Sequence, residues 1–197
     1  MTPLEARRVC DFHDGLQKGE AASELWRAIE DNHRNNQLLW GEEDLARRRL
    51  APDAEIAGNK RAIDRYNQQR NDAIERIDEQ LFGFFFAKDF PEKARQNSET
   101  PGAMLDRLSI LSLKIHHMRL QTQRTDVDRA HVDECTHKLN RLMEQRADLA
   151  ACLDRLLAEC ARGESRFKIY RQFKMYNDPK LNPAVYGESA PGKSSAG

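Results

Sequence analysis

Between Asp128 and Ala161 the chain repeats every seven residues: Val132, Leu139, Arg146, Leu153 and Cys160 form one line, and Cys135, Leu142, Leu149 and Leu156 form the second. A period of seven carried over about four heptads places both lines along one seam of a long, coiled-coil-like α-helix. That seam has to be covered, either by helices of the same chain or by a second copy of it. The rest of the sequence supplies the helices. No segment reads as a convincing strand, and glycine is sparse, at ten residues.

A first helical pattern runs from about Ala22 to Arg49. Leu25, Ile29, Asn32, Asn36, Leu39, Trp40, Glu43 and Arg47 fall on one stripe at helical spacing. Pro52 interrupts it, and Asp53 reads as the N-cap of a second helix, Ala54 to Phe82. That helix carries Ile56, Asn59, Ile63, Asn67, Arg70, Ile74, Ile77 and Leu81 on its stripe, with Lys60, Asp64, Asn71 and Asp78 along one flank. The turn at Pro52 folds the two into an antiparallel hairpin. Equal rise per residue then sets Lys60 opposite Glu43, Ile63 opposite Trp40, Asn67 opposite Asn36 and Arg70 opposite His33. Amides and charges on an apolar stripe cost several kcal/mol unless paired. They either close into a register-fixing network or line a wet cleft.

Residues 98 to 118, SETPGAMLDRLSILSLKIHHM, read as a third helix. Thr100 is an N-cap, and Pro101 suits the first helical position, where its missing N–H is not needed. Met104, Leu108, Leu111, Ile115 and Met118 form one stripe, and Leu113 and Leu120 lie nearly opposite it, so this helix should be central. Asp106, Arg107, Ser109 and Lys114 have no local explanation there. Upstream, LFGFFFAKDFP sets five phenylalanines within nine residues. It reads as an apolar corner plugging one end of the bundle.

The expected architecture is therefore all-α: an antiparallel bundle of about four long helices, the last of them coiled-coil-like, with a C-terminal strap. Residues 1–20 form an N-terminal extension, 21–187 a single helical domain and 188–197 a disordered tail. The chain is 39% apolar and 32% charged, which suits such a bundle. Lys+Arg and Asp+Glu are both 32, a balance that argues against broad nucleic-acid binding. No apolar run is long enough to cross a membrane, and no secretory h-region opens the chain. Cys10, Cys135, Cys152 and Cys160 lack CxxC spacing, so reduced thiols in the cytoplasm are expected.

No phosphate loop, nucleophile elbow or HExxH occurs. His131 and Cys135, one turn apart, could share a metal, although the seam position of the thiol accounts for Cys135 without one. Neither a metal nor another cofactor is expected. The alternative is Mg²⁺ held by carboxylates such as Glu43, Asp64 and Asp78, which would also supply acid–base chemistry. Arg47, Arg70 and Lys174 would then hold a phosphate. The segment from Arg162 to Lys180 interleaves cations with Phe167, Tyr170, Phe173 and Tyr176. That pattern suits either an anion site or a strap whose rings pack while its cations stay in water.

Four stretches, NNQLLWGEEDLARR, NKRAIDRYNQQRNDAIERID, NSETPGAMLDRLSILSLKI and RQFKMYNDPKLNP, resemble in order a bacterial family known as domain of unknown function 4254 (DUF4254). The resemblance implies a helical protein of no assigned activity. Members tend to be encoded beside glycosyltransferases and other genes for surface polysaccharide or lipopolysaccharide. It therefore implies an accessory role in cell-surface glycan synthesis, with a glycosyltransferase or related enzyme as partner; the heptad seam separately leaves a homodimer as an option. The alternative is an enzyme acting on a sugar phosphate or nucleotide. Asn36, Arg47, Asn67, Arg70, Asn71, Asp106, Arg107, Lys174, Tyr176 and Asn177 fall on the matching positions and are the candidate ligand-binding residues.

Overall fold

The computed structural model describes residues 2–16, 23–172, 178 and 180–188, and its architecture is all-α. A short helix α1 (Ala6–His13) precedes four long ones: α2 (Glu24–Leu45), α3 (Asp53–Phe86), α4 (Pro101–Thr122) and α5 (Arg129–Ala161). A last short helix, α6, spans Pro183–Glu188. The long helices run up, down, up and down. α2 and α4 are parallel, since Asn32 meets Asp106 while Trp40, two turns on, meets His117.

Local chemistry sets the starts. The Ser23, Thr100 and Asp128 side chains each accept a first-turn N–H, from Trp26, Ala103 and His131 respectively. Asp53 is not the cap of α3, as expected, but its first residue. Pro52 holds the cap position in extended backbone, so Asp53 and Glu55 act instead as first-turn charges against the helix dipole. α3 also continues through the phenylalanine run to Phe86, giving a helix about 50 Å long. The corner therefore begins after the aromatics rather than with them.

The apolar core fills the end of the bundle near that corner. Leu25, Trp26, Ile29, Ile77, Leu81, Leu105, Leu108, Leu153 and Leu157 form its body. Leu4, Ala6 and Val9 close it from the side of α1. Phe82, Phe86, Phe90 and the fully buried Phe167 interlock edge to face and tilted, with ring centroids 5.3 to 6.0 Å apart. A two-residue parallel pairing fixes Phe167 there: β1 (Arg95–Gln96) lies against β2 (Ser165–Arg166). No strand was expected. The pair exists because two connections, one from each helical hairpin, meet over the same end.

Every seam position of α5 is buried or half-buried within the single chain, against α4 and the core. Arg146, the one charge on the seam, donates to both carboxylate oxygens of Asp14 at 2.7 and 2.9 Å and to Ser112 Oγ at 3.2 Å. A residue just past α1 thus neutralises it. No helix is long and apolar enough to cross a membrane among the described residues. The tail from residue 189 lies outside them.

Candidate functional site

The inner polar residues of α2 do not pair across the hairpin as expected. Glu43 binds Arg47 just past the end of α2, Lys60 binds Asp64 one turn on in α3, and Asn36 donates to Asp106 of α4. The register is close to the expected one, since Asn59 donates to Glu42 at 2.7 Å. What differs is that α4 lies along both helices and offers better acceptors. Asp106 Oδ1 accepts from Asn32 Nδ2 and Asn36 Nδ2, both at 2.9 Å. Asn36 Nδ2 also reaches Ser109 Oγ at 3.0 Å.

His33 extends this network. Its Nδ1 lies 2.8 Å from Ser109 Oγ and its Nε2 lies 3.1 Å from the Gln37 amide nitrogen. That amide can only donate, so Nε2 accepts and the ring proton sits on Nδ1, given to Ser109. Burial holds His33 neutral, its pKa lowered to about 4. The buried His13 ring stacks on it at 4.5 Å, and burial lowers the His13 pKa well below the ordinary histidine value too.

Beside the closed network is an open cleft of about 310 Å³ between α2, α3 and α4. Asn36, Trp40, Glu43, Asp44, Arg47, Asn67 and Arg70 line it, over an apolar floor of Leu39, Ile110 and Leu113. Arg70 is held in the wall with its Nε 3.9 Å from Asp106 Oδ1, and that nitrogen has no hydrogen-bond partner. Neither Arg70 nor Asn67 makes a hydrogen bond among the described residues. The Trp40 indole N–H is also buried without an acceptor. Arg47 reaches over the rim to the Glu43 carboxylate and carbonyl, at 2.6 Å each. The cleft thus collects two carboxylates, two guanidiniums, two amides and an indole, with several donors uncommitted.

The other candidate residues lie elsewhere. Asp64 stays with Lys60 outside the cleft. Asp78 is buried at the start of α4, accepting from the Gly102 N–H at 2.6 Å and from the Thr100 hydroxyl. Burial raises its pKa to about 6 against those two hydrogen bonds. Glu43, Asp64 and Asp78 therefore form no common acid group. Arg107 is exposed and grips Glu99 through both carboxylate oxygens, at 2.7 and 2.9 Å. Asn71 is buried, and its Oδ1 has no partner. Lys174, Tyr176 and Asn177 lie outside the described residues.

Three of the described C-terminal arginines are committed. Arg162 pairs with Glu164, Arg171 with Glu75 and Glu79, and Arg166 lies over the Phe90 ring. His131 Nε2 and Cys135 Sγ meet at 3.5 Å, with no third ligand forming a metal-binding group among the described residues. The sequence did not single out Ser109 and His33 as members of one network, or Asp44 as a cleft residue. Each faces a partner on a helix distant in sequence, and helical spacing alone cannot pair them. The signals for Asp44 were its place beside Glu43 and its position in the family-like stretch NNQLLWGEEDLARR.

No match is found among curated proteins or among solved structures. A family model, "Protein of unknown function (DUF4254)", matches residues 26–169. That span takes in the cleft, the buried network, α2 from its third residue and all of α3 to α5, so the chain belongs to the DUF4254 family.

Proposed function

We propose that the cleft between α2, α3 and α4 binds a small polar ligand of the sugar or sugar-phosphate class. The protein would serve as a cytoplasmic accessory factor to a glycosyltransferase or related enzyme of cell-surface glycan synthesis. The observation that carries the binding reading is Arg70, a guanidinium held at the edge of a buried network with no hydrogen bond of its own, facing a hollow. A purely structural network would leave no such group beside open space. Asn67 and the rim pair Glu43–Arg47 add the donors and acceptors that hydroxyl groups require. The lining carries two acids and two bases, which favours a ligand of low net charge, a polyol with at most one phosphate. A volume of about 310 Å³ is at the small end of ligand sites. The dispersal of Glu43, Asp64 and Asp78 favours binding over turnover.

A thermal-shift series with hexose 1-phosphates, with and without Mg²⁺, tests this. At one hundred times Kd a ligand stabilises by about 2.7 kcal/mol, or roughly 5–10 °C for a chain of this size. Asn67→Ala should abolish the shift while leaving the unliganded Tm near wild type, because Asn67 is half-buried and makes no hydrogen bond. No shift with any sugar phosphate at millimolar concentration would refute the proposal.

A further inference from the structure

A second hollow adjoins the cleft on the far side of Trp40. It is a groove of about 690 Å³ between the C-terminal half of α4, the first half of α5 and the end of α2. Trp40 and Asp44 belong to both hollows, so they share a wall. The two differ in chemistry. The groove's apolar surface comes from Met118, Leu142 and the face-to-face stack of Trp40 on His117, whose ring centroids are 4.3 Å apart at 7°. Burial and the adjacent His116 lower the His117 pKa, so its ring is neutral at pH 7 and adds an uncharged second layer to the indole stack.

The polar groups around that surface are of two kinds. Gln121, Gln145 and the Asp44 carboxylate offer hydrogen bonds in the range needed by the edge of a heterocycle. Lys114, Lys138 and Arg141 outnumber Asp44, the one acid in the lining. Lys114 is exposed and has no ion pair among the described residues. It is also a residue of the third helix that nothing in the fold explains. Lys138 and Arg141 hold Glu134 and Glu144 at 2.6 and 2.7 Å, but both are exposed surface pairs, which hold too weakly to resist a phosphate. A stacked aromatic pair, side-chain amides and surplus cations together match one ligand chemistry. A base stacks, its edge is hydrogen-bonded, and its phosphates find cations.

We infer that this groove is a nucleoside diphosphate site, and that with the cleft it forms one bipartite site for a nucleotide-activated sugar. The base and phosphates occupy the groove beside Lys114, and the sugar reaches past Trp40 into the cleft. The inference rests on the reading of the cleft as a sugar site, which it makes more specific.

Calorimetric titration of the full chain with UDP, ADP, GDP and CDP, and with UDP-glucose and GDP-mannose, tests it. Lys114→Glu and Asn67→Ala serve as variants; Lys114 is exposed and Asn67 makes no hydrogen bond, so both should fold. The expected result is binding of at least one nucleoside diphosphate, weakened tenfold or more by Lys114→Glu and unchanged by Asn67→Ala. The matching nucleotide sugar should bind more tightly and be weakened by either variant. Sugar phosphate binding lost in Asn67→Ala, with no nucleotide binding and no effect of Lys114→Glu, would overturn the groove assignment and leave the cleft reading intact. Nucleoside diphosphate binding sensitive to Lys114→Glu, with no gain from the sugar and none lost in Asn67→Ala, would support the groove and overturn the bipartite site and the cleft reading. Displacement of the nucleotide by dodecyl phosphate below its micellar concentration, at lower concentration than unlabelled nucleotide requires, would show an aliphatic-chain groove and overturn the inference. Absence of all binding would overturn both readings.

Discussion

Gly102 sits in the first turn of α4, where helix propensity and packing make opposite predictions for Gly102→Ala. By propensity alone alanine should stabilise by about 1 kcal/mol. The geometry argues otherwise. A Cβ at Gly102 would lie 2.6 Å from the Ile74 carbonyl oxygen and 2.8 Å from Asp78 Oδ1. Neither can yield easily: one is backbone in the middle of α3, and the other is a buried carboxylate gripping the Gly102 N–H. Restoring ordinary contact would move the first turn of α4 outward by roughly 0.8 Å, a small-to-large strain of about 1–3 kcal/mol. The same shift stretches the Gly102–Asp78 hydrogen bond beyond useful length, and weakening that bond to a buried group costs about 1–3 kcal/mol more. After the propensity gain the net loss is about 1–5 kcal/mol, or roughly 2–20 °C in Tm. Urea denaturation with an unchanged m-value is the assay. Gly58→Ala is the control: Gly58 is exposed on α3 with nothing near its missing Cβ, and there alanine should stabilise. A Gly102→Ala protein as stable as wild type, or more so, would refute the argument that close approach of α4 to α3 is what requires glycine there.

Other parts of the structure give further predictions. His13 has both ring nitrogens buried without partners, so His13→Phe should raise stability by about 1–3 kcal/mol in urea melts at pH 7. Neutral burial lowers the folded-state pKa of His13 and His33 below 6.5, so the unfolded chain binds more protons as pH falls. Stability should therefore drop from pH 6.5 toward pH 4, by up to about 1.4 kcal/mol per unit for each histidine. Asp78, with its pKa raised to about 6, acts in the opposite direction between pH 4 and 6, so the comparison of His13→Phe with wild type across that range isolates the histidine part. Arg146→Met should cost about 3 kcal/mol by leaving Asp14 unpaired in a half-buried site, and hydrogen exchange should show α1 losing protection first. Asp106→Ala should cost about 2–4 kcal/mol in urea melts, since it strands the Asn32 and Asn36 amides, whereas Asp106→Asn, which keeps an oxygen for them, should cost less than half as much.

Much of this fold can be read from one sequence because helical period is a local property. The seam of α5, the two-faced burial of α4, the Pro52 turn and the Thr100 cap follow from spacing and side-chain chemistry within a few residues. That the phenylalanines are packed follows as well, because so many rings in a short span have to be buried somewhere, but not that α3 carries four of the five before the chain turns. The site is only half legible. Asn36, Arg47, Asn67 and Arg70 were expected at an inner polar surface, and all line or border the cleft. Their partners were misassigned because equal rise fixes which residues come level in a hairpin, not which neighbour supplies the better acceptor. A third helix with Asp106 and Ser109 at the right height took the amides. Asp78 shows the same limit. Its place among the carboxylates suggested chemistry, yet it holds the amino end of another helix, a contact spanning the connection 87–100 that no periodicity reveals.

The apolar core lies at one end of the long axis, and this makes the molecule unevenly stable. The phenylalanine end is closed by α1, by the β1–β2 pairing and by interlocked rings. The opposite end, around the turns at 46–52 and 123–128, has small buried residues such as Ala62 and Leu50 fully in solvent. Local opening is cheapest there, and amide exchange should quicken along α2 from Glu24 toward Leu45. The cleft and the groove both sit toward that soft end. A ligand filling them would act as a splint, and its binding should appear first as slowed exchange in the last two turns of α2, well before any change in the Tm of the core.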